Sequence, residues 1–251
     1  ELCDRKLFRI IKYMNGTAAW RKIGFVGDPP EELQIGLFSD ADFAGCKATQ
    51  KSTSGVFLAV YGPHSFFPLA AQSKKQTAVS NSTVEAEIVA AAHALRMSGL
   101  FCLPLWEKLL QRPLALEVYQ DNQATARIMT TGRAPTLRHI GRTHCVAISW
   151  INERATGSDV NLHDCMSDVM AADIFTEHFT NKDTWEPAQR HTCRESIRFL
   201  LPPLLAAPLL PPRQPLAASL RRPRHADQLP GGHRCRKVLC RNSFLCSPGK
   251  T

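Results

Sequence analysis

Residues 33–42 read LQIGLFSDAD. Leu33, Ile35 and Leu37 alternate with Gln34 and Gly36, the period-two pattern of a strand. That strand runs into Ser39 and Asp40, so an acid stands where an apolar strand gives out. A carboxylate beside a core face is costly unless hydrogen bonds or cations compensate it. The same pattern recurs downstream and decides how the chain is to be read.

Working outward, Gly55 to Tyr61 (GVFLAVY) reads as a second strand closed by Gly62-Pro63, and Ser65 to Leu69 as a third, with extended chain near Thr77 to Val79. Ser82 or Thr83 can cap a helix that carries Glu85 and Glu87 in its first turns and runs on through VEAEIVAAAHALRM to Gly99. A further helix is predicted over Leu103 to Leu110. Leu114 to Tyr119 (LALEVY) predicts a strand ending at Gln120-Asp121, followed by a helix from Gln123 to Thr130 that stops near Gly132. Val146 to Arg154 reads as helix, Val160 to Leu162 as a short strand and Val169 to Phe179 as a last helix. The order β-β-β-α-β-α-α-β-α implies an α/β chain, a mixed sheet with helices packed on it. Before it, Leu7, Phe8, Ile10, Ile11 and Met14 share one face of a helix that Gly16 can stop, and Asp28-Pro29-Pro30 reads as a turn or linker.

The 251 residues are 44% hydrophobic and 21% charged, with a mean hydropathy of −0.19. That suits one domain of about 150 residues with additional segments. The longest apolar stretch read from the sequence, Phe199 to Leu210, holds three prolines and falls short of the ~20 residues of a membrane span. No membrane partner is expected, and no basic-then-apolar leader opens the chain. The net charge of +9 is unevenly placed. Residues 188–251 hold 12 Lys and Arg against 2 Asp and Glu, whereas residues 1–187 hold 19 against 20. Nine of the 17 prolines also fall in that tail, which is expected to be disordered. The nine cysteines are widely spaced without any CxxC, which favours a reducing compartment and an intracellular, unsecreted protein. His233, Cys235, Cys240 and Cys246 could offer four zinc ligands, but their spacing matches no usual finger.

Four acids occupy informative positions. Asp40 ends the first strand, Glu87 sits in an apolar, small-residue helix, Asp121 lies between a strand and a helix, and Asp173 lies within MAADIFT. Several carboxylates beside core faces are most economically explained by divalent cations. Mg²⁺ takes oxygen ligands and keeps waters, leaving room for phosphate oxygens. Two such ions about 4 Å apart can activate water and stabilise a leaving oxygen. Glu85 reads instead as a first-turn acid suited to the helix dipole, and Asp42 as a structural or loop acid. Asp164 and Asp168 read as loop and helix-start acids, and His139 and His144 as packed or surface histidines.

The blocks SDADFAG, KSTSG, STVEAE, DNQAT and ADIFT, in that order over residues 33–180, resemble the ribonuclease H domain of copia-type LTR retrotransposon polyproteins. KLFRIIKYMNGT, residues 6–17, is similar to the segment that closes the preceding reverse transcriptase. The resemblance implies three parts: residues 1–30 as the end of that reverse transcriptase, 31–186 as a ribonuclease H-like domain, and 187–251 as a Pro/Leu/Arg-rich tail. It implies a five-stranded mixed sheet flanked by helices, and hydrolysis of the RNA strand of RNA–DNA hybrids with two Mg²⁺ or Mn²⁺ ions. The metal-binding acids of the family fall on Asp40, Glu87, Asp121 and Asp173. It further implies the reverse transcriptase of the same polyprotein as a partner and an intracellular setting, a cytoplasmic particle or the nucleus.

The chain departs from the pattern of the family at Gly141, where Asp is usual, at Glu177, where Lys is usual, and at Ile88, where an aromatic is usual. These departures motivate an alternative, an inactive remnant that binds nucleic acid weakly. A retroviral-type integrase fits less well, because its third acid follows both aspartates whereas Glu87 lies between them. Candidate phosphate contacts are Lys74, Lys75, Arg127, Arg133, Arg138 and Arg142, with Asn122 and Gln123 at a helix start that can also simply cap it.

Overall fold

The structure, a computed structural model, describes residues 2–19 and 22–179, together with residues 181, 185, 192 and 238–240. The expectation of a disordered tail and the His233, Cys235, Cys240 and Cys246 group fall outside the described residues, apart from the backbone of 238–240. In chain order the elements are α1 (Leu2–Gly16), β1 (Lys22–Gly24), β2 (Gln34–Asp42), β3 (Thr53–Gly62), β4 (Ser65–Lys75), α2 (Thr83–Ala94), α3 (Leu100–Leu110), β5 (Leu116–Gln120), α4 (Gln123–Thr131), α5 (Ile140–Thr143), α6 (Ile148–Ala155), β6 (Val160–Asp164) and β7 (Val238–Cys240). Strands β2 to β6 form a mixed sheet of order β4-β3-β2-β5-β6, and β1 pairs with β7. The five-stranded mixed sheet flanked by helices is the architecture expected from the sequence. The β2–β3 and β3–β4 pairs are antiparallel, whereas β2–β5 and β5–β6 are parallel.

β2 is the central strand, and this changes how its sequence is to be read. The alternation at residues 33–37 predicts one wet face, yet Ile35, Gly36, Leu37, Phe38 and Ser39 are all buried. A strand covered on both sides has no solvent face for alternation to report. On one side Ile35, Leu37, Val56, Leu58, Leu116 and Val118 pack against Ile88, Ala91 and Leu95 of the helix layer, with Met129 and Ile151 behind. On the other, Phe38, Phe57, Tyr61 and Tyr119 lie beneath Met170, Ala171 and Ala172. The Phe38 and Tyr119 rings stack at 4.6 Å. Each such large apolar side chain contributes roughly 1.5–3 kcal/mol on burial.

Ser82 caps α2 by accepting from the Glu85 amide at 3.1 Å. Gly99 does not end the helix. The chain continues through a π turn at Leu95–Gly99 into α3, giving one helix over Thr83–Leu110. A Cβ on Gly99 would fall 2.4 Å from Leu116 and 2.8 Å from Leu37, so the glycine serves close approach of helix to sheet rather than termination. The π turn lies just upstream of Pro104, where regular i→i−4 bonding cannot be completed. These 28 residues are long and apolar enough to cross a membrane by length and composition, which the sequence reading of the apolar stretches had not identified; half of that apolar window is buried within the fold.

Three further expectations change. β4 extends past Leu69 to Lys75, because it pairs with β3 throughout. Residues 77 and 78 form a bend and 79 is irregular, so no strand lies there. The predicted helix over 169–179 is instead two short 3₁₀ turns, Ser167–Val169 and Asp173–Phe175. Its apolar residues cover the aromatic sheet face as a strap, which needs contact area rather than helical period. Ahead of the sheet, Asp28 is pinned: its carboxylate accepts from the His64 amide at 2.8 Å, and Ser65 Oγ accepts from the amides of Gly27 and Asp28.

Candidate active site

The adjacent parallel strands β2 and β5 leave the centre of the sheet in opposite directions, β2 towards β3 and β5 towards β6. Crevices at such switch points, beyond the carboxyl ends of strands, are where open α/β sheets place their sites. Asp40 lies near the end of β2 and Asp121 directly follows β5. Glu87, 4% exposed, comes from the second turn of α2, and Asp173 opens the last 3₁₀ turn. Four segments far apart in sequence therefore place carboxylates within reach of one another's charge.

The electrostatics follow from that placement. Burial pushes Glu87 up to about 9, with the charges of Asp40 and Asp121 adding to it. Burial likewise lifts Asp173 to about 8, and Asp40, Asp121 and Glu177 add to it. Asp40 is raised by burial, against the pull of a hydrogen bond from Thr176. A protonated Glu87 donating to the Asp40 carboxylate satisfies both shifts. The site thus holds protons at neutral pH to relieve repulsion between like charges.

Neighbouring side chains orient the acids. Thr176 Oγ1 donates to Asp40 Oδ2. Gln120 Nε2 donates to Glu87 Oε2 at 3.4 Å, and Ser167 Oγ to Asp121 Oδ2 at 2.9 Å. Sequence reasoning missed all three residues; Thr176 closes the ADIFT block and Gln120 directly precedes Asp121, so adjacency to a motif was the available signal. Asp173 Oδ1 and Gln120 Oε1 are buried without a partner. Gly55 lies opposite Asp40 in the β2–β3 register. A Cβ there would meet Ala172 O at 2.7 Å and Thr176 Cγ2 at 2.8 Å, so this glycine admits the turn that carries Asp173.

The other singled-out residues fall as follows. Glu85 is a buried structural acid, more enclosed than a first-turn acid is expected to be. It accepts from the Asn81 amide at 2.9 Å and meets His139 Nε2 at 3.0 Å. His144 Nε2 is 3.2 Å away but too poorly aligned to be a hydrogen bond. Asp42 accepts from the Thr53 amide and closes the β2–β3 connection. Asn122 caps α4, its Oδ1 accepting from the Thr125 amide at 3.1 Å. Gln123, Arg127, Arg133, Arg138 and Arg142 are exposed on α4, on the turns after it and on α5. Lys74 and Lys75 are exposed at the far end of β4, where Lys75 Nζ stands 2.8 Å from Cys46 Sγ. Ile88 fills the core, and Gly141 has room for a side chain, since a Cβ would meet only Val146 O at 3.6 Å.

Among the described residues, no three His, Cys, Asp or Glu side chains are already gathered tightly enough to enclose a metal ion. Asp40, Glu87 and Asp121 instead meet Thr176, Gln120 and Ser167, and Asp173 Oδ1 has no partner. Chemically the cluster is a set of hard oxygen donors carrying repelled negative charge, suited to divalent cations of the Mg²⁺ type.

No protein-family model matches the chain. Among solved structures it is similar to a ribonuclease H1 isolated from compost by a metagenomic approach, at 16% identity over 57% of this chain and 92% of that one, TM-score 0.40. It is similar to the N-terminal RNase H domain of a Mycobacterium tuberculosis protein, solved as a maltose-binding protein fusion, at 12% identity over 63% and 97%, TM-score 0.37. The RNase H domain of PFV, known from solution, aligns at 14% identity over 64% and 92%, TM-score 0.33.

Proposed function

We propose that the chain is a divalent-metal-dependent endonuclease that hydrolyses the RNA strand of RNA–DNA hybrids, as part of a copia-type retrotransposon polyprotein. The observation that carries this reading is the meeting of Asp40, Glu87, Asp121 and Asp173 at the β2/β5 switch point, with Glu87 and Asp173 raised to about 9 and 8. The five ordered sequence blocks support the hybrid substrate and the retrotransposon setting, which includes the reverse transcriptase as partner and an intracellular location.

The residues fit two cations of the Mg²⁺ or Mn²⁺ kind. An unpartnered buried oxygen, Asp173 Oδ1, and a set of mutually repelling carboxylates are what hard cations relieve. Asp40, Glu87, Asp121 and Asp173 would hold them. When bound, such ions activate water and stabilise the leaving oxygen of a phosphodiester. To hold a cation, Glu87 would release to solvent the proton that burial and Asp40 favour, and with it the hydrogen bond to Asp40. Thr176 and Ser167 fix Asp40 and Asp121 through their hydroxyls, and Gln120 steers Glu87. The 172–176 turn, seated over Gly55, closes one side of the site. The substrate is read by hybrid shape and 2′-hydroxyls, with the exposed cations supplying phosphate contacts.

The test is cleavage of an end-labelled RNA–DNA hybrid with Mg²⁺. Wild type cuts the RNA strand, while Asp121→Asn loses on the order of 10³-fold in rate and keeps its fold. Equal cutting by the two proteins rejects the assignment. One observation favours the second reading, an inactive nucleic-acid-binding remnant. Glu177 stands where the family has a cation and adds its charge to Asp173. Under that reading Glu177→Lys creates cutting where the natural chain shows none.

A further inference from the structure

The connection between β2 and β3 carries Cys46, which the carboxylate site does not use. Residues 46–51 read CKATQK, with two further lysines and no acid. The backbone pins this cysteine. Its amide donates to the carbonyl of Lys51 at 3.2 Å, and its carbonyl accepts from the amides of Thr49 at 3.1 Å and Gln50 at 2.7 Å. Thr53, which opens β3, is the register partner of Lys75 at the end of β4, so the strand pairing brings Lys75 beside the connection. There Lys75 Nζ donates to Cys46 Sγ at 2.8 Å, joining two side chains 29 residues apart.

A thiol touching an ammonium group is favoured as the thiolate, which is its nucleophilic form. Lys75, helped by Thr49, holds the Cys46 thiol down to about 6. Other thiols of the chain are placed differently. Burial pushes Cys102 up to about 11 and Cys165 to about 12, and each donates to a carbonyl, of Gly99 and of Met166. Cys46 is partly exposed and Lys75 is exposed, so a small reagent reaches both.

We propose that Cys46 and Lys75 form a modification site, at which a hydroperoxide converts their contact into a covalent S–N bond. The thiolate attacks the terminal oxygen of the hydroperoxide. An S–O bond forms, the O–O bond breaks, and the leaving alkoxide or hydroxide takes a proton from the Lys75 ammonium group. Sulfur is oxidised and the peroxide is reduced, which leaves a sulfenic acid beside a neutral amine. The amine nitrogen then attacks sulfur, the S–OH bond breaks, and the hydroxyl departs as water with one amine proton. Sulfenic acids condense in this way with a nearby nitrogen. The bridge removes the positive charge of Lys75 and ties the β2–β3 connection to the end of β4. A small thiol in excess reverses it, restoring thiol and amine and leaving the disulfide of the reagent. The chemistry needs neither nucleic acid nor metal ion, so it holds whether or not the chain cuts hybrids.

Three measurements on the full chain test this, with circular dichroism confirming the fold of each variant. In the first, wild type is treated with hydrogen peroxide, digested without reductant and mapped by mass spectrometry. The expected product is a linked peptide joining Cys46 to Lys75, lighter than its two parts by a pair of hydrogen atoms and absent after dithiothreitol. Lys47→Gln is expected to form it as wild type does, and Cys46→Ser not at all. In the second, Lys75→Arg keeps a cation at the thiol but has no amine to condense. Its Cys46 is expected to stop at the sulfenic acid and to be trapped by dimedone several-fold more than in wild type. In the third, iodoacetamide labels the cysteines at about pH 6. Cys46 is expected to react roughly tenfold faster than the exposed Cys145, and to lose that advantage in Lys75→Gln. Cys46 that labels no faster than Cys145 overturns the proposal. So does peroxide treatment that carries Cys46 on to the sulfinic acid with Lys75 free, or a linked peptide that keeps a peroxide oxygen.

Discussion

Glu87 and Asp173 are acids that the fold holds above their ordinary range, and this has a thermodynamic sign. A carboxyl raised in the folded state binds its proton more tightly folded than unfolded. Its contribution is therefore fully present below the unfolded value and is lost as pH rises through the folded one. For Glu87 that window runs from 4.5 to about 9, and for Asp173 from 3.8 to about 8. The metal-free protein should lose stability from these groups steadily between pH 5 and 9, read as a falling midpoint in thermal melts by circular dichroism. Glu87→Gln should flatten that dependence and raise the midpoint at pH 8 by roughly 2–4 °C for each kcal/mol of relieved repulsion. Millimolar Mg²⁺ should stabilise wild type and leave Glu87→Gln nearly unmoved, because only a bound cation shifts the folding equilibrium. A midpoint that climbs with pH over this range would show that the acids are not crowded together. The four acids were singled out in the sequence by their apolar surroundings, and the ordered blocks were needed to gather them into one candidate set. Their supports were not: Thr176, Ser167 and Gln120 are ordinary polar residues whose meaning comes only from what folds beside them.

At the scale of elements, the strands were legible and the turns over the aromatic sheet face were not. β2, β3, β5 and β6 announced themselves as runs of Val, Ile, Leu, Phe and Tyr between turn residues. Residues 169–179 carry as much apolar content, but they lie flat on the sheet as a strap, and composition alone cannot tell that from a helix. Gly99 misled for a related reason. A glycine at a helix end and a glycine at a tight helix–sheet crossing look alike in one dimension. Gly55 is the element-scale counterpart of the acids, for its missing side chain admits the strap. Gly55→Ala should therefore displace the 172–176 turn and cut activity at least tenfold, while most of the fold survives. Comparison of kcat with circular dichroism tests this, and an alanine variant of full activity would show that the turn has slack. Asn152 donates from Nδ2 to the carbonyls of Met129 and Thr130, closing the end of α4. Asn152→Ala should cost about 1 kcal/mol of stability by leaving them unmet, with little effect on cleavage.

Over the whole molecule, charge is divided between a nearly neutral body and a tail of 12 cations against 2 anions. Backbone contacts supply most of the affinity for nucleic acid, so removing residues 188–251 should weaken hybrid binding and flatten its salt dependence, while kcat at saturating substrate is retained. Unchanged binding after truncation would assign the affinity to the body. The overall architecture was readable because alternation of strands and helices limits the possible sheets severely. The position of β2 at the centre was not, since burial on both faces erases the alternation that would otherwise have marked its orientation.

The long helix also leaves Met97, Phe101 and Leu105 uncovered at four-residue intervals, with Leu109 beyond them. A native surface of this kind takes up hydrophobic dyes before any unfolding begins. Melts reported by dye fluorescence should therefore start bright and understate the transition, and concentrated samples should stay monodisperse better in mild non-ionic detergent than in plain buffer.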